Sequence, residues 1–584
     1  MSDKVVFSSR KVAPHPWQIT DHKLSGTEQL SFFIALPQQN LALLEEIYWD
    51  RTNPDSPNYQ QWMSVEDLNE ITATPGHVVG AVKKWLVSSG VEDMKFFGDS
   101  IEVTASVSVL RELFSTDFFV FSNNKGEKLI RQWGELSIPS ELVGHIEMIV
   151  GLSSFPIPRS PYEKRINRRG IWDSFTYVVP GSVYNIYQIP PSSRANTSQG
   201  VIEWEGQSFD TTDLDTFGQQ MGVDPLDNPT NAHIIGPNDP STPGDESTLD
   251  IQWIAATGIG ATNWFWIEGG TSWLYGFTVH FMNTQDVPSV ISISYGWSEE
   301  DQCEQGIGAS ECSQLGVNST AYVARVNTEF QKIGLRGISI FASSGDSGAN
   351  GRTDEACSDK QFHPAFPAAS PFLTAVGATR LIDVSTTLSN PPPICASAEY
   401  WWCASAGTEV AVSYGVSGFT SGGGFSNVAP MPDWQKAAVS KYLSGPEGQQ
   451  LPAGYFNPNG RAYPDVSALG DKILIWLGSD QSIGGTSASC PMVAGIFSLL
   501  NSYTVSKTGK TLGPVNQLIY KMAQEQPATF TDITVGDNEC TESGCGLDSC
   551  YGYFCSTGWD PVTGWGTPNY TQMLAYLQKF FESK

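Results

Sequence analysis

The chain has 584 residues, 40% of them hydrophobic, and carries 61 acidic against 33 basic side chains, a net charge of −28. This length predicts two or more globular domains, and the excess of acid argues against nucleic acid as a partner. No apolar run reaches the roughly 18 residues that a membrane-spanning helix needs, so we expect no membrane span.

The N-terminal part predicts a compact unit of mixed strands and helices. Residues 28–36 alternate between apolar and polar side chains as a half-buried strand does, and residues 101–107 and 118–121 have strand-like composition. Residues 42–48 and 77–87 have helical spacing of their apolar side chains. We therefore expect an α+β domain ahead of the rest of the chain.

A proline-rich, basic segment follows at residues 156–170. It contains two dibasic pairs, Lys164-Arg165 and Arg168-Arg169. The charge changes at the same place, from a net of −4 over residues 1–170 to −24 over residues 171–584. Such a segment should be exposed and cleavable, and we favour a propeptide junction over a plain interdomain linker.

The remaining residues alternate between predicted strands and helices. Residues 290–294 and 337–342 are short apolar runs followed by small-residue turns, and residues 321–333 predict a helix between them. This βαβ order predicts a parallel sheet. Side chains that carry chemistry should then lie in the loops at the carboxyl ends of the strands.

Ser487 has the setting of a nucleophile. It lies in Gly-Gly-Thr-Ser-Ala-Ser-Cys-Pro (484–491), a small-residue turn ahead of a predicted apolar helix at 492–503. A nucleophilic serine needs a base. His233, His280 and His363 lack the His-Gly-Thr context that accompanies this serine motif in subtilisins. The sequence therefore favours a carboxylate base, which implies action at acid pH.

Two acidic motifs supply candidates. Glu246 and Asp250 are four residues apart at a predicted helix start, so they share one helix face. Such a pair is most often a solvated face, but two carboxyls held together have split proton affinities. Asp346 lies in Gly-Asp-Ser-Gly (345–348), and a protonated carboxyl there could donate to an oxyanion. We reject Ser347 as a chymotrypsin-type nucleophile, because the order of elements indicates an α/β fold.

Taken together, the motifs resemble those of the sedolisins, the serine-carboxyl peptidases. The motifs at 246–250, 343–348 and 485–489 and a C-terminal calcium region occur in the family's order, and residues 366–371, 421–426 and 461–466 also look like the family. The resemblance implies Ser487 as nucleophile, Glu246 as its base, Asp250 as the partner of Glu246, and Asp346 as the oxyanion donor. It implies a subtilisin-like parallel sheet flanked by helices, preceded by an α+β ferredoxin-like prodomain of the pro-kumamolisin type.

The resemblance also implies a zymogen that activates itself. The expected divisions are an activation domain at 1–158 that folds over the cleft, a cleaved basic linker at 159–179, and a peptidase domain at 180–584. The expected substrates are peptides or proteins, and the propeptide is the intramolecular inhibitor. We expect release of tripeptides from free N-termini, as in tripeptidyl-peptidase I-like members. The alternatives are an acid endopeptidase, a catalytically inactive secreted binding protein on this scaffold, and a histidine-based subtilisin.

One structural calcium ion is expected in the C-terminal region. By resemblance its ligands are the carboxylates of Asp532 and Asp560 and the carbonyl oxygens of Ile533, Ser556 and Gly558. Calcium takes six or more oxygen ligands, so waters would complete the shell. Ser556 stands where many relatives have glycine, which matters little if only its carbonyl binds.

The cysteines indicate an oxidising route. All ten follow residue 300, and sequons begin at Asn196, Asn318 and Asn569. Cys540, Cys545, Cys550 and Cys555 favour disulfides over a zinc cluster, because the C-x2-C spacing is absent. Cys490 is expected to be a buried free thiol. We expect a monomer that is secreted or resides in a lysosomal or acidic vacuolar compartment, although no signal peptide is visible in this chain.

Overall fold

The structure is a computed structural model. It describes residues 3–156, 177–204, 206–223, 225–269, 272–302, 319–396, 403–545 and 550–582. Most of the predicted basic linker, the sequon at Asn318, Cys303 and Cys312 lie outside these residues. Within the described residues, no helix is long and apolar enough to cross a membrane.

The N-terminal domain contains two antiparallel sheets with helices against them. One sheet has the strand order β4-β5-β3-β8 and the other the order β1-β7-β6-β2. The first order is that of a βαββαβ, ferredoxin-like unit, in agreement with the expected prodomain fold. The elements are β1 (Lys4–Arg10), β2 (Gln18–Ile19), β3 (Gln29–Ala35), α1 (Leu41–Thr52), α2 (Val65–Thr72), α3 (Gly76–Ser88), β4 (Asp93–Phe96), β5 (Ser100–Ser106), α4 (Val107–Phe114), β6 (Asp117–Ser122), β7 (Lys128–Pro139) and β8 (Met148–Val150).

Local sequence accounts for these elements. The alternation that predicted a strand at 28–36 becomes β3, which lies between β5 and β8 in the sheet. Helix α2 begins with a capping box, in which Ser64 and Asp67 each accept a hydrogen bond from the other's backbone amide. The side chain of Ser106 caps α4 in the same position.

The C-terminal domain is built around a larger, mainly parallel sheet. Its strand order is β10-β11-β9-β12-β14-β16, with β20 parallel and β17 antiparallel to β16. The strands are β9 (Ser198–Glu203), β10 (Ile234–Ile235), β11 (Thr262–Ile267), β12 (Val290–Ile293), β13 (Trp297–Ser298), β14 (Ser339–Ser343), β15 (Ala365–Phe366), β16 (Thr374–Thr387), β17 (Ala404–Ala411), β18 (Gly424–Pro430), β19 (Gly460–Tyr463), β20 (Val466–Leu469), β21 (Ile473–Trp476), β22 (Asp480–Ile483), β23 (Phe530–Thr531) and β24 (Thr567–Pro568).

Helices cover this sheet. They are α5 (Pro180–Ile186), α6 (Thr211–Met221), α7 (Asp245–Thr257), α8 (Trp273–Asn283), α9 (Ser319–Leu335), α10 (Tyr414–Ser417), α11 (Lys436–Ser444), α12 (Thr486–Thr508), α13 (Asn516–Glu525) and α14 (Tyr570–Glu582). The arrangement confirms the predicted subtilisin-like fold class.

A close helix contact positions the candidate site. A side-chain carbon built on Gly495 of α12 would lie 2.1 Å from Thr257 Oγ1 of α7, so only glycine fits at this crossing. The two helices therefore approach closely, and the charges of Glu246 and Asp250 on α7 act on Cys490 in the first turns of α12. The amino-terminal ends of both helices lie at one place, and each favours nearby negative charge.

Buried charges join the two domains. Arg325 on α9 pairs with Asp99 at 3.1 Å and with Glu147 at 2.5 Å, and Lys332 pairs with Asp99 at 2.8 Å. His280 on α8 lies 3.4 Å from Glu102 of the N-terminal domain. These contacts attach the N-terminal domain to α8 and α9.

Candidate active site

Ser487 is the second residue of α12. The preceding Gly485 has a φ of 148°, a value that favours glycine, and its amide donates to the carbonyl oxygen of Gly470. This turn places Ser487, partly buried, at the amino-terminal end of the helix. Its hydroxyl donates to the carbonyl oxygen of Ser294 at 3.3 Å.

Ser294 connects the candidate nucleophile to the acidic pair. It follows β12, and its hydroxyl donates to Asp250 Oδ1 at 2.9 Å and lies 3.4 Å from the carbonyl oxygen of Ser487. Pro491 leaves that carbonyl without its usual helical partner, because proline has no amide hydrogen to donate to the residue four positions earlier. The geometry thus brings Ser487 and Asp250 to the same residue.

Glu246 and Asp250 occupy the first two turns of α7. The helix begins after Gly244, where a side-chain carbon would lie 1.6 Å from Gln207 Oε1. Asp250 is fully buried. Burial, followed by the charges of Glu203 and Glu246, raises the pKa of Asp250 well above its ordinary value. Carboxyls that repel one another in this way hold protons that exposed carboxyls would have lost.

Glu203 is a further carboxyl of this group, and the sequence interpretation missed it. It is fully buried at the carboxyl end of β9, and Tyr295 donates a hydrogen bond of 2.8 Å to Glu203 Oε2. Burial raises the pKa of Glu203 to about 8, against the opposing effect of that bond. Its position at the carboxyl end of a parallel strand is the signal that could have identified Glu203 as a candidate site residue.

Asp346 lies just after β14 and faces the start of α12. Its Oδ1 accepts two hydrogen bonds of 2.8 Å, from the amide and from the hydroxyl of Thr486. Burial and then the charge of Glu542 raise the pKa of Asp346, although Arg352 opposes them. Since Oδ1 accepts both bonds, Oδ2 is the oxygen available to carry a proton. A side-chain carbon on Gly485 would lie 3.3 Å from Oδ2.

A cleft passes beside Ser487, Ser294 and Asp346. The side chain of Arg352 is held by Glu542 at 2.9 Å and lies over the ring of Trp297 at 5.7 Å. The cleft is lined by Ser294, Gly296, Trp297, Ser298, residues 343–348, Gly351, Arg352, His363, Ala365, Thr486 and Ser487.

The histidines have other partners. His233 stacks on Trp264, His280 accompanies Glu102 and Glu268, and His363 accompanies Glu300. In the part of the chain that is described, no histidine forms a hydrogen bond with Ser487. The ionisable side chain that hydrogen bonds connect to Ser487, by way of Ser294, is the carboxyl of Asp250.

The predicted calcium ligands lie in two segments, 532–533 and 556–560, which a hydrogen bond joins. Asp532 Oδ2 accepts from the amide of Gly558 at 2.9 Å, and Asp560 Oδ2 accepts from the amide of Ser556 at 3.0 Å. Ile533 is buried beside Asp532. Burial raises the pKa of Asp560 to about 7 and also raises that of Asp532. The buried carboxyl of Asp560 and the exposed one of Asp532, together with carbonyl oxygens, suit a hard cation that would offset their charge.

Three disulfides lie within the described part of the chain. These are Cys357–Cys550, Cys395–Cys403 and Cys540–Cys545, which confirms disulfides over a zinc cluster. Among the described residues Cys490 and Cys555 are buried free thiols. The prediction for Cys490 is confirmed, and Cys555 does not pair within its local cluster.

Comparisons with known proteins place the chain among serine peptidases. The family described as "Pro-kumamolisin, activation domain" matches residues 18–155, and the family described as "Subtilase family" matches residues 231–540. Physarolisin of Physarum polycephalum is 37% identical over 93% of each chain. Tripeptidyl-peptidase 1 of Homo sapiens is 30% identical over 97% of this chain and 95% of its own.

A solved structure agrees. Pseudomonas sedolisin, a serine-carboxyl proteinase complexed with two molecules of pseudo-iodotyrostatin, superposes with a TM-score of 0.52 at 25% identity. The match covers 69% of this chain and 98% of that chain.

Proposed function

The chain belongs to the sedolisin family of serine peptidases, and we propose that it is an acid-acting serine-carboxyl peptidase made as a self-activating zymogen. The observation that carries this proposal is the connection from Ser487 through Ser294 to Asp250, with hydrogen bonds of 3.3 Å and 2.9 Å. A carboxyl of the acidic pair Glu246 and Asp250 then serves as the base, in the role that histidine has in subtilisins.

The proposed mechanism assigns one role to each residue. Ser487 Oγ attacks the scissile carbonyl carbon while Glu246 takes its proton, and Glu246 returns a proton to the leaving amine as the C–N bond breaks. Water then attacks the acyl ester on Ser487, giving its proton to Glu246, which returns a proton to Ser487 Oγ as the acid product leaves. Asp250 is held by its hydrogen bond from Ser294, and it orients Glu246 and tunes the proton affinity of Glu246. Protonated Asp346 donates from Oδ2 to the oxyanion, and the amino-terminal end of α12 favours the same negative charge.

Acid action follows from the carboxyl group at the oxyanion position. Asp346 is useful as a donor only while it is protonated, and burial keeps it protonated to a higher pH than an exposed aspartate. Ionised Asp346 would repel the oxyanion. We therefore expect activity to fall as the pH rises, which also separates this proposal from a histidine-based subtilisin.

We expect the enzyme to release tripeptides from free N-termini. Support comes from the similarity to tripeptidyl-peptidase 1, while the similarity to physarolisin leaves an acid endopeptidase as the second candidate. A matched pair of fluorogenic peptides, one with a free and one with an acetylated N-terminus, distinguishes them at pH 4. Tripeptide release predicts a kcat/KM at least about tenfold higher for the free peptide. Equal rates would establish internal cleavage, and no turnover of either at any pH would favour the inactive binding protein.

Zymogen activation is proposed to occur by self-cleavage in the linker. The proposed divisions are those of the sequence, an activation domain at 1–158, a linker at 159–179 and a peptidase domain at 180–584, and the activation-domain match at residues 18–155 supports the first. Hydrogen bonding with His280 lowers the pKa of Glu102 below its ordinary value of 4.5. Ionised Glu102 therefore stabilises the domain contact at pH values above its ordinary pKa. This stabilisation is lost as the pH falls through the lowered pKa of Glu102.

Purified full-length chain incubated at pH 4 should therefore shorten by about the length of the activation domain, whereas the chain kept at pH 7 should stay intact. Ser487→Ala should remain intact at both pH values, because the cleaving nucleophile is absent. Gel electrophoresis over time, with mass spectrometry of the product, measures this. Processing of Ser487→Ala at the parent's rate would disprove self-cleavage.

One structural calcium ion is proposed at Asp532, Ile533, Ser556, Gly558 and Asp560. The family is known for a calcium site, and the carboxyls of Asp532 and buried Asp560, held near each other's segments, fit the ion. Removal of calcium with a chelator at pH 7 should lower the Tm by roughly 3 °C or more, as loss of a ligand at about 100 times its Kd costs about 2.7 kcal/mol. In differential scanning fluorimetry Asp532→Asn should lose this response, and Asp537→Asn in the same segment should keep it. An equal response of both variants would contradict the ligand assignment.

The proposed working place is an acidic one on the secretory route. The three described disulfides fit secretion or a lysosomal or vacuolar lumen. We propose a monomer, with peptides or proteins as substrates and the chain's own activation domain as its inhibitor.

A further inference from the structure

The loop between β14 and β15 carries a second group of polar side chains, separate from the proposed catalytic residues. We call residues 351–363 the 351–363 loop. Its two ends reach the cleft, because Gly351, Arg352 and His363 are cleft-lining residues. Its middle is fixed to the C-terminal region by the Cys357–Cys550 disulfide. The loop is therefore held at three points.

Three side chains of this loop converge. Asp354, Asp359 and His363 each offer one ligand atom, and these atoms lie within 4.8 Å of one another. Two ligand atoms of a tetrahedral ion are about 3.4 Å apart when each bond is about 2.1 Å long. His363 Nε2 and Asp359 Oδ2 already lie 3.4 Å apart, and the side chain of Asp359 is 59% exposed, so it can rotate to close the remaining distance to Asp354.

His363 has the orientation of a metal ligand. Its side chain is only 9% exposed, and its Nδ1 is hydrogen bonded to Glu300 Oε1. Its Nε2 is buried and makes no hydrogen bond within the described residues, with Asp359 Oδ2 at 3.4 Å. A carboxylate that holds one ring nitrogen fixes the tautomer and presents the other nitrogen, which is the usual arrangement of metal-bound histidine.

Asp354 is held in place by hydrogen bonds. Its carboxylate accepts from the amide and hydroxyl of Ser358, each at 2.8 Å, and from the amide of Asp359 at 2.7 Å. Its side chain is thus fixed before any ion arrives, while exposed Asp359 leaves a route from solvent.

We propose that Asp354, Asp359 and His363 bind a divalent transition-metal ion of the zinc type at the rim of the cleft. One imidazole nitrogen with two carboxylates is a donor set for such an ion, whereas calcium takes oxygen ligands alone. Glu300 supports the site by orienting His363. This site is distinct from the proposed calcium site and does not depend on the proposed peptidase mechanism.

The competing explanation is a charge cluster without an ion. In it, the imidazole is protonated and pairs with Glu300 and Asp359 at once. Zinc binding distinguishes the metal site from the charge cluster, because a bound ion requires an unprotonated His363 Nε2 and the cluster requires a protonated one. The measurement is therefore made at pH 8.

The test is a zinc titration by isothermal calorimetry. It uses untagged, full-length Ser487→Ala chain, which avoids proteolysis, with calcium saturating so that the 532–560 region does not take up zinc. His363→Gln and Asp359→Asn are introduced on this background, and His22→Gln at an exposed position is the matched control. Glu300→Gln tests the supporting carboxylate.

We expect one zinc equivalent to be lost in His363→Gln and retained in His22→Gln. Asp359→Asn and Glu300→Gln should each weaken that equivalent about 10- to 100-fold. Asp359 is exposed, so its variant tests the proposal even if His363→Gln does not fold. Zinc binding that is the same in the parent, Asp359→Asn and Glu300→Gln, or no binding by the parent, would overturn the proposal.

Discussion

Replacing Glu246 with glutamine should lower kcat by about 10²- to 10⁴-fold, the range that a general base contributes. Glutamine has nearly the same shape, but its amide cannot take the Ser487 proton. KM should change little, because the cleft that binds the peptide keeps its lining. The measurement is kcat and KM for one free-N-terminus peptide at pH 4.

Each variant needs activation from outside, since it cannot cleave itself. A tagged parent enzyme can remove the activation domain and then be withdrawn on an affinity column. Asp245→Asn is the matched control, because it removes one negative charge from the same first turn of α7. A kcat for Asp245→Asn within about threefold of the parent, with a large loss for Glu246→Gln, supports proton transfer. Equal losses in both would mean that the charge at the helix start matters and the proton does not.

Much of the fold was predictable because the chemistry was local. The buried parallel strand β12 reads as Val-Ile-Ser-Ile, and such strands are near-continuous apolar runs. The helix predicted at 321–333 became α9, Ser319–Leu335, with both ends extended. Apolar spacing marks the middle of an element better than its ends, where caps and tertiary contacts decide.

The helix that carries Ser487 shows where the pattern misled. The sequence predicted a helix from 492, after Pro491, yet α12 begins at Thr486. Proline in the second turn normally argues against a helix. Here the cost is limited, because Ser294 Oγ lies 3.4 Å from the Ser487 carbonyl that Pro491 leaves without a helical partner. This contact comes from the residue after β12, so the local sequence around Pro491 did not show it.

The sequence pattern could not predict which residues from distant segments come together. Glu203, Ser294 and Asp250 come from three separate elements, and no spacing rule joins them. The cysteines show the same limit, because Cys550 pairs with Cys357, 193 residues away, although its neighbours in sequence recur every five residues. The sequence therefore indicated which residue types carry the chemistry, but the positions at which they meet depend on the tertiary fold.

The second large effect on kcat is expected at Asp346, the proposed oxyanion donor. Asp346→Ala should lower kcat by about 10²- to 10³-fold, which is the loss expected when one oxyanion donor is removed. Asp346→Asn keeps a donor of the same size, and an amide does not titrate. Its kcat should therefore lie well above that of Asp346→Ala.

The pH profile of Asp346→Asn carries the sharper test. In the parent, Asp346 is protonated below its raised pKa and ionised above it, so kcat should fall as the pH rises through that value. Asparagine donates on both sides of it, so the alkaline limb should move to higher pH while the acid limb, set by the base, stays. Circular dichroism at each pH must show the same folded signal for both proteins. An unchanged alkaline limb would mean that another group, and not the proton on Asp346, confines activity to acid.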